Sequence, residues 1–111
     1  MSALHERMRT DLTAALRAKD RVTAAALRTA LTAISNAEAI PVDHSTYNPV
    51  IGRPAEAPRR ELTEAQIRAA VQGEVDERQH ALTQYEHLGQ DGHAEKLRAE
   101  MAVLRRYLGT L

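Results

Sequence analysis

The chain has 111 residues, with 15 basic and 15 acidic side chains and a formal net charge of zero. This length is typical of one domain with a modest core, and the neutral charge lacks the basic excess with which most nucleic-acid-binding proteins neutralise phosphates. The chain has no Cys, which excludes a disulfide framework, a thiolate metal site and a Cys nucleophile. It has no Phe or Trp but 20 Ala, a composition that favours closely packed helices over a sheet.

The N-terminal residues, MSALHERMRTDL, are charged and lack the apolar core of a secretory signal. No apolar run in the chain approaches the roughly 20 residues that a transmembrane helix requires. We therefore expect a cytoplasmic protein with no membrane partner.

The first two helices are predicted at residues 2–18 and 20–39. Ser2 and Asp20 stand at their N-cap positions, because short polar side chains accept hydrogen bonds from the free amides of a helix start. Apolar residues recur at steps of four in the first helix, the spacing of one helix face: Leu4, Met8, Leu12 and Leu16. The second helix has a broader apolar face, which predicts contact with more than one neighbour. It must end before Pro41, because a proline pushes the preceding residue out of the helical conformation.

Residues 40–61 contain all four prolines of the chain, together with Gly52. We predict a long Pro-rich loop without regular structure. A loop of this length inside a compact domain is usually either functional or mobile. If it binds a partner, we expect its aromatic and basic side chains to make the contacts: Tyr47, Arg53, Arg59 and Arg60.

The last two helices are predicted at residues 63–88 and 91–108. The third begins with a capping box, in which Thr63 is the N-cap and Gln66 follows three residues later. Asp91 is expected to cap the fourth helix. Apolar residues recur at steps of three and four in these helices: Ile67, Val71, Val75, Leu82 and Tyr85, then Ala94, Leu97, Met101, Leu104 and Leu108. The short link between the two helices predicts an antiparallel hairpin.

The predicted fold class is therefore all-α. We expect a four-helix arrangement of two antiparallel helical hairpins, joined by the Pro-rich loop, as a single domain over residues 1–111. No segment has the strict alternation of a convincing strand.

Two patterns of His and acidic residues are compatible in type with a metal or catalytic site. Glu77 and His80 form the Glu-x-x-His step of di-iron helical bundles, but such a site needs two of these steps and the chain has one. His80 also lies almost opposite the apolar stripe of its helix and should face solvent. Asp43, His44 and Ser45 are the residue types of a hydrolase triad, but adjacent residues cannot meet across space as a triad requires. We predict no catalytic, cofactor-binding or metal-binding residue.

Arg78 interrupts the apolar stripe of the third helix. An arginine in such a position must extend to solvent or meet a carboxylate. Glu74, one turn earlier, is the local candidate, and Glu38 and Glu100 are candidates on other helices. Two interpretations stay open: a structural ion pair at a helix interface, or a polar patch that binds a partner or ligand.

Short motifs along the chain resemble the GatB/YqeY family, specifically the N-terminal helical part of YqeY-like proteins. Each motif alone fits many amphipathic helices, but their order and spacing cover nearly the whole chain apart from the loop. The motifs are Leu27-Arg28, Ile34, Asn36-Ala37-Glu38, Glu61-Leu62-Thr63, Glu74, Arg78, Tyr85-Glu86, Gly89, Ala94-Glu95-Lys96, Ala99-Glu100, Val103-Leu104 and Tyr107-Leu108.

The resemblance implies a helical N-terminal domain. In typical members a proline follows the Tyr-Leu pair, and then comes a three-helix domain similar to the tail of the B subunit of the tRNA-dependent amidotransferase, which is associated with tRNA binding. Gly109 stands in place of that proline and the sequence stops two residues later, so we expect the first domain alone. Gln90, where a basic residue is expected, and the long loop are further departures from the family pattern.

The function we expect is a non-catalytic helical binding or adaptor module connected to tRNA-dependent amidation or translation. Family labelling leaves one alternative, an amidotransferase-like accessory enzyme (a carbon–nitrogen ligase with glutamine as amide donor), and the apolar stripes leave another, a self-associating helical scaffold. The partner would be a protein, a second copy or tRNA, although neutral charge and the missing tail weaken the case for tRNA. The candidate partner-binding residues are Arg28, Arg53, Arg59, Arg60, Glu74, Arg78 and Tyr85.

Overall fold

A computed structural model describes residues 2–39 and 60–109 of the chain. These ranges contain four α-helices and no strand: α1 (Ala3–Ala18), α2 (Arg21–Glu38), α3 (Glu64–His87) and α4 (Asp91–Leu108). The predicted all-α class is confirmed. The Pro-rich loop predicted at 40–61 lies outside the described residues, except for its last two positions.

Three of the helices begin at the N-cap that the sequence predicts. Ser2 accepts a hydrogen bond from the His5 amide at 3.0 Å, and Asp20 caps α2. Thr63 and Gln66 form the predicted capping box, with amide-to-side-chain distances of 2.8 and 3.1 Å. These contacts satisfy amides that have no partner within their own helix, which fixes where each helix starts.

The predicted cap of α4 is wrong. Its N-cap is Gln90, whose side chain forms no capping hydrogen bond, and Asp91 is the first residue of the helix. The reason lies in the end of α3, where Gly89 adopts a left-handed φ of 71° and the Gln90 amide donates to the Tyr85 carbonyl at 2.9 Å. This Schellman motif closes α3 tightly, so Gln90 takes the N-cap position and Asp91 is already helical.

The link between α1 and α2 consists of Lys19 and Asp20 alone. The Asp20 amide donates to the Ala15 carbonyl at 2.9 Å and the Lys19 amide donates to the Leu16 carbonyl at 3.2 Å, which is again a Schellman pair. Here the left-handed position belongs to Lys19, with φ 57°, instead of a glycine. A side chain with a Cβ is strained in this conformation, so the turn is tight at some cost in stability.

The core lies where α2 contacts α1, α3 and α4. This agrees with the broad apolar face predicted for the second helix. Ala26 and Ala30 on α2 are completely buried, and such small side chains let neighbouring helices approach closely. The largest fully buried side chains are Met8, Leu27, Ile34, Val71, Met101 and Leu104. Burial of each large apolar side chain stabilises the fold by about 1.5–3 kcal/mol.

Candidate binding site

Arg78 is buried between α3 and α4, with 9% of its surface exposed. Its Nη1 donates to a Glu74 carboxylate oxygen at 2.9 Å, and its Nε and Nη2 both donate to Glu100 Oε1 at 3.3 Å. Glu100 is itself only 8% exposed. Glu74, Arg78 and Glu100 therefore form an internally satisfied ion cluster, here called the Arg78 cluster, that joins α3 to α4.

A second polar contact joins α4 to α1. The Tyr107 hydroxyl donates to Asp11 Oδ2 at 2.7 Å, and the Arg7 guanidinium lies 4.7 Å from the centre of the Tyr107 ring, over its face. Tyr107 is only 6% exposed. Burial, reinforced by the hydrogen bond to Asp11, raises the pKa of the Tyr107 phenol. The predicted stripe of the fourth helix left Tyr107 out, although its spacing of four from Val103 is the signal that could have found it.

An open groove lies beside the turn between α1 and α2, with a volume of about 460 Å³. We call it the α1–α2 groove, and its lining residues are Ala15, Leu16, Lys19, Asp20, Arg21, Ala24, Ala25 and Arg28. Leu16 is 46% exposed, although the sequence pattern placed it in the buried stripe of the first helix. The α2 residues that share the groove with Leu16 include two alanines, which are too small to cover it.

Lys19, Arg21 and Arg28 are exposed cations of the groove. None of them forms an ion pair or a side-chain hydrogen bond with another residue of the described ranges 2–39 and 60–109. Asp20, the acidic residue among the described lining residues, accepts from the Thr23 hydroxyl at 2.7 Å and from the Thr23 amide at 3.1 Å. These bonds, with a smaller contribution from Arg106, lower the pKa of Asp20. Its carboxylate is thus occupied in capping α2, while the three cations have no such partner.

The other predicted partner-binding residues are scattered. Tyr85 is half-buried and stacks on His93, with ring centroids 4.9 Å apart. Arg60 is exposed, and its Nε donates to the Ala37 carbonyl at 3.1 Å. Arg53 and Arg59 lie outside the described residues. Of the described members of the predicted set, Arg28 alone lines the α1–α2 groove, and Glu74 and Arg78 belong to the Arg78 cluster.

A smaller group of exposed residues at the end of α3 borders a second open cavity of about 440 Å³, lined by Thr83, Gln84, His87 and Leu88. Leu88 is 68% exposed there. The described residues that line this cavity all belong to one segment of the chain, whereas both α1 and α2 contribute to the α1–α2 groove.

The described residues contain no group of three or more His, Asp or Glu that could hold a metal ion. His80 is exposed, as its helical position predicted. Among the described helices, none is both long and apolar enough to cross a membrane. What the α1–α2 groove offers chemically is apolar contact area combined with unpaired positive charge.

Within residues 2–39 and 60–109, these features define an all-α arrangement of four packed helices with an open groove between the first two. The chain belongs to the family of Yqey-like proteins, whose family model matches residues 5–110. The resemblance seen in the sequence motifs is thereby confirmed. A search of the curated proteins finds no match, and a search of the solved structures finds none either.

Proposed function

We propose that this chain is a non-catalytic binding module, an adaptor in tRNA-dependent amidation or translation, and that its contact surface is the α1–α2 groove. The single observation that carries the proposal is the groove itself, where exposed Leu16 lies among cations without ion-pair partners in the described chain. The connection to translation rests on the family alone, through the resemblance of longer members to an amidotransferase subunit.

The rest of the described structure supports a binding role over a catalytic one. The most deeply buried charged side chains, Arg78 and Glu100, satisfy each other, as buried ion pairs in a structural role do. Among its described lining residues the groove has one carboxylate, Asp20, which caps α2 and accepts from the Thr23 hydroxyl, and no imidazole to act as a base for a nucleophile. This arrangement suits recognition of another molecule.

In this proposal the helices work as two antiparallel hairpins, α1 with α2 and α3 with α4, in one domain that acts in the cytoplasm. The links of two and three residues between the paired helices support that pairing. The most extensive helix contacts are those within the same two pairs. Residues 40–61 would connect the hairpins.

The test is an affinity capture from cell extract with the full chain as bait, followed by identification of the captured proteins and RNA. We expect amidotransferase subunits, ribosomal proteins or tRNA to be enriched, and Arg28→Glu to abolish the enrichment. Lys96→Glu is the matched control, because it makes the same charge change at an exposed position on α4 away from the groove. Recovery of no translation component and no tRNA would overturn the proposal.

A separate assay tests the non-catalytic part of the proposal. The full chain is incubated with glutamine, ATP and mischarged tRNA, and ammonia release and amidated product are measured. We expect neither above the blank. Activity of the purified chain would favour the amidotransferase-like alternative instead.

A further inference from the structure

We infer that the α1–α2 groove takes an amphipathic α-helix of a partner protein, with an apolar face that packs on Leu16 and acidic residues that meet Arg21 and Arg28. This inference rests on the proposed function and names the chemistry of the partner at the same site. Nothing in the family assignment specifies such a partner.

The shape of the groove fits a helix. It runs between α1 and α2, and its alanines, Ala15, Ala24 and Ala25, present little side-chain bulk. Small residues at a helix contact allow the axes to approach to about 8–10 Å. An amphipathic helix that lies in such a groove inserts its apolar side chains at steps of three and four. The half-exposed Leu16 is the apolar group that an incoming helix would cover.

The cations of the groove indicate that the partner helix carries acidic residues along the edge of its apolar face. Arg21 and Arg28 are seven residues apart on α2, which places them on the same helix face about 10 Å apart along the axis. Two carboxylates spaced seven residues apart on a partner helix would match this separation. Lys19 at the turn adds a third cation, and the single carboxylate of the lining is engaged with Thr23. Charge complementarity of this kind selects the partner and speeds its association.

The same observations disfavour RNA as the occupant. Single-stranded nucleic acid is held by aromatic side chains that stack on bases as well as by cations. No aromatic residue is among the described residues that line the groove, and about half of those residues are Ala or Leu. The chain as a whole also has no positive excess to attract a polyanion.

The test uses a fluorescein-labelled synthetic peptide of about 20 residues, a length that can form a helix in water. It carries Leu and Ala on one face and Glu residues seven apart beside that face. Three further probes are the same peptide with Gln in place of Glu, the same peptide with Lys in place of Glu, and total tRNA. Binding to the full chain is followed by anisotropy at about 0.15 M salt.

We expect the Glu peptide to bind at least about tenfold more tightly than the Gln peptide. The double substitution Arg21→Glu with Arg28→Glu should weaken binding of the Glu peptide by at least the same factor. Leu16→Asp should also weaken this binding. The control Lys96→Glu should leave it unchanged. A peptide with Lys in place of Glu should bind the doubly reversed variant better than the wild type. Circular dichroism confirms that each variant keeps its helix content.

The inference is overturned if the Glu and Gln peptides bind equally, or if tRNA binds through Arg28 while neither peptide binds. A concentration-dependent dimer in sedimentation equilibrium that Arg28→Glu abolishes would assign the groove to a second copy and also overturn it. If translation components are captured by the wild type and lost with Arg28→Glu, but the Glu peptide does not bind, the proposed function is supported and this inference is wrong. Peptide binding without such capture would support the inference and remove the link to translation.

Discussion

The Arg78 cluster and the α1–α2 groove use arginines in opposite ways. Arg78 is buried and donates hydrogen bonds to Glu74 and Glu100 from two helices. Arg28 is exposed beside an apolar surface and has no ion-pair partner in the described chain. The first arrangement holds helices together, because a buried charge must be paired to be tolerated. The second leaves charge and apolar area open to another molecule.

The largest expected effect comes from breaking the Arg78 cluster. Arg78→Met should lower the free energy of unfolding by about 3–5 kcal/mol, because Glu100 would stay buried, and Glu74 half-buried, without a cation. Urea denaturation followed by circular dichroism measures this. Adding Glu74→Gln and Glu100→Leu should recover most of the loss, since the unpaired carboxylates are then gone. A loss below about 1 kcal/mol for Arg78→Met would contradict a structural role for the cluster.

Removing the Tyr107 hydroxyl should have an intermediate effect. Tyr107→Phe deletes the hydrogen bond to Asp11, and we expect a loss of about 1 kcal/mol in unfolding free energy at neutral pH. The folded protein raises the pKa of this phenol, so the unfolded chain loses the proton first as pH rises. The stability that Tyr107 contributes is complete below about pH 10 and declines above it. In urea denaturation at several pH values, the difference in unfolding free energy between wild type and Tyr107→Phe should become smaller above pH 10. A difference that grows above pH 10 would contradict this account.

Substitution of Lys19, in the turn beside the groove, should have a smaller effect on stability than the changes above. It should also affect binding. Lys19→Gly relieves a side chain at φ 57°, so we expect the free energy of unfolding to rise by about 0.5–1 kcal/mol. The same variant removes a cation from the groove and should weaken binding of the Glu peptide. Gly89→Ala at the other turn, where φ is 71°, is the matched control: it should lower stability by about 1 kcal/mol and leave peptide binding unchanged. Lower stability for Lys19→Gly would show that its left-handed conformation carries no strain.

The smallest expected change in stability is at the groove itself. Arg28→Glu should alter the free energy of unfolding by less than about 0.5 kcal/mol, because its side chain is exposed and holds no partner within the described residues. Its effect on binding should be large. Urea denaturation and peptide anisotropy on one protein preparation separate the two effects. A stability loss comparable to that of Arg78→Met would remove the contrast between the two regions.

Local sequence patterns predicted the helices and most of their caps, because a capping box or an apolar stripe is determined by residues a few positions apart. Glu74 could be named as a partner of Arg78 for the same reason, since it lies one turn away. Glu100 was only one of several candidates, because the register between two helices is set by packing across the whole interface. The N-cap of α4 was placed at Asp91 instead of Gln90, because the tight end of α3 depends on the left-handed conformation of Gly89.

The candidate site was the least predictable feature. Leu16 continues the apolar stripe of α1, and nothing in that periodicity indicates that the residues beside it on α2 are too small to cover it. The contact between Asp11 and Tyr107 spans nearly the whole described chain. Such contacts depend on tertiary arrangement, and no spacing rule within one helix encodes them.

The most direct test of the account is amide chemical-shift mapping by NMR, with ¹⁵N-labelled full chain titrated with the Glu peptide. The account predicts that the largest shift changes fall on residues 15–28, with little change on α3 around Arg78. Changes concentrated at Thr83, Gln84, His87 and Leu88, or spread over the Arg78 cluster, would contradict the claim that the α1–α2 groove is the binding surface.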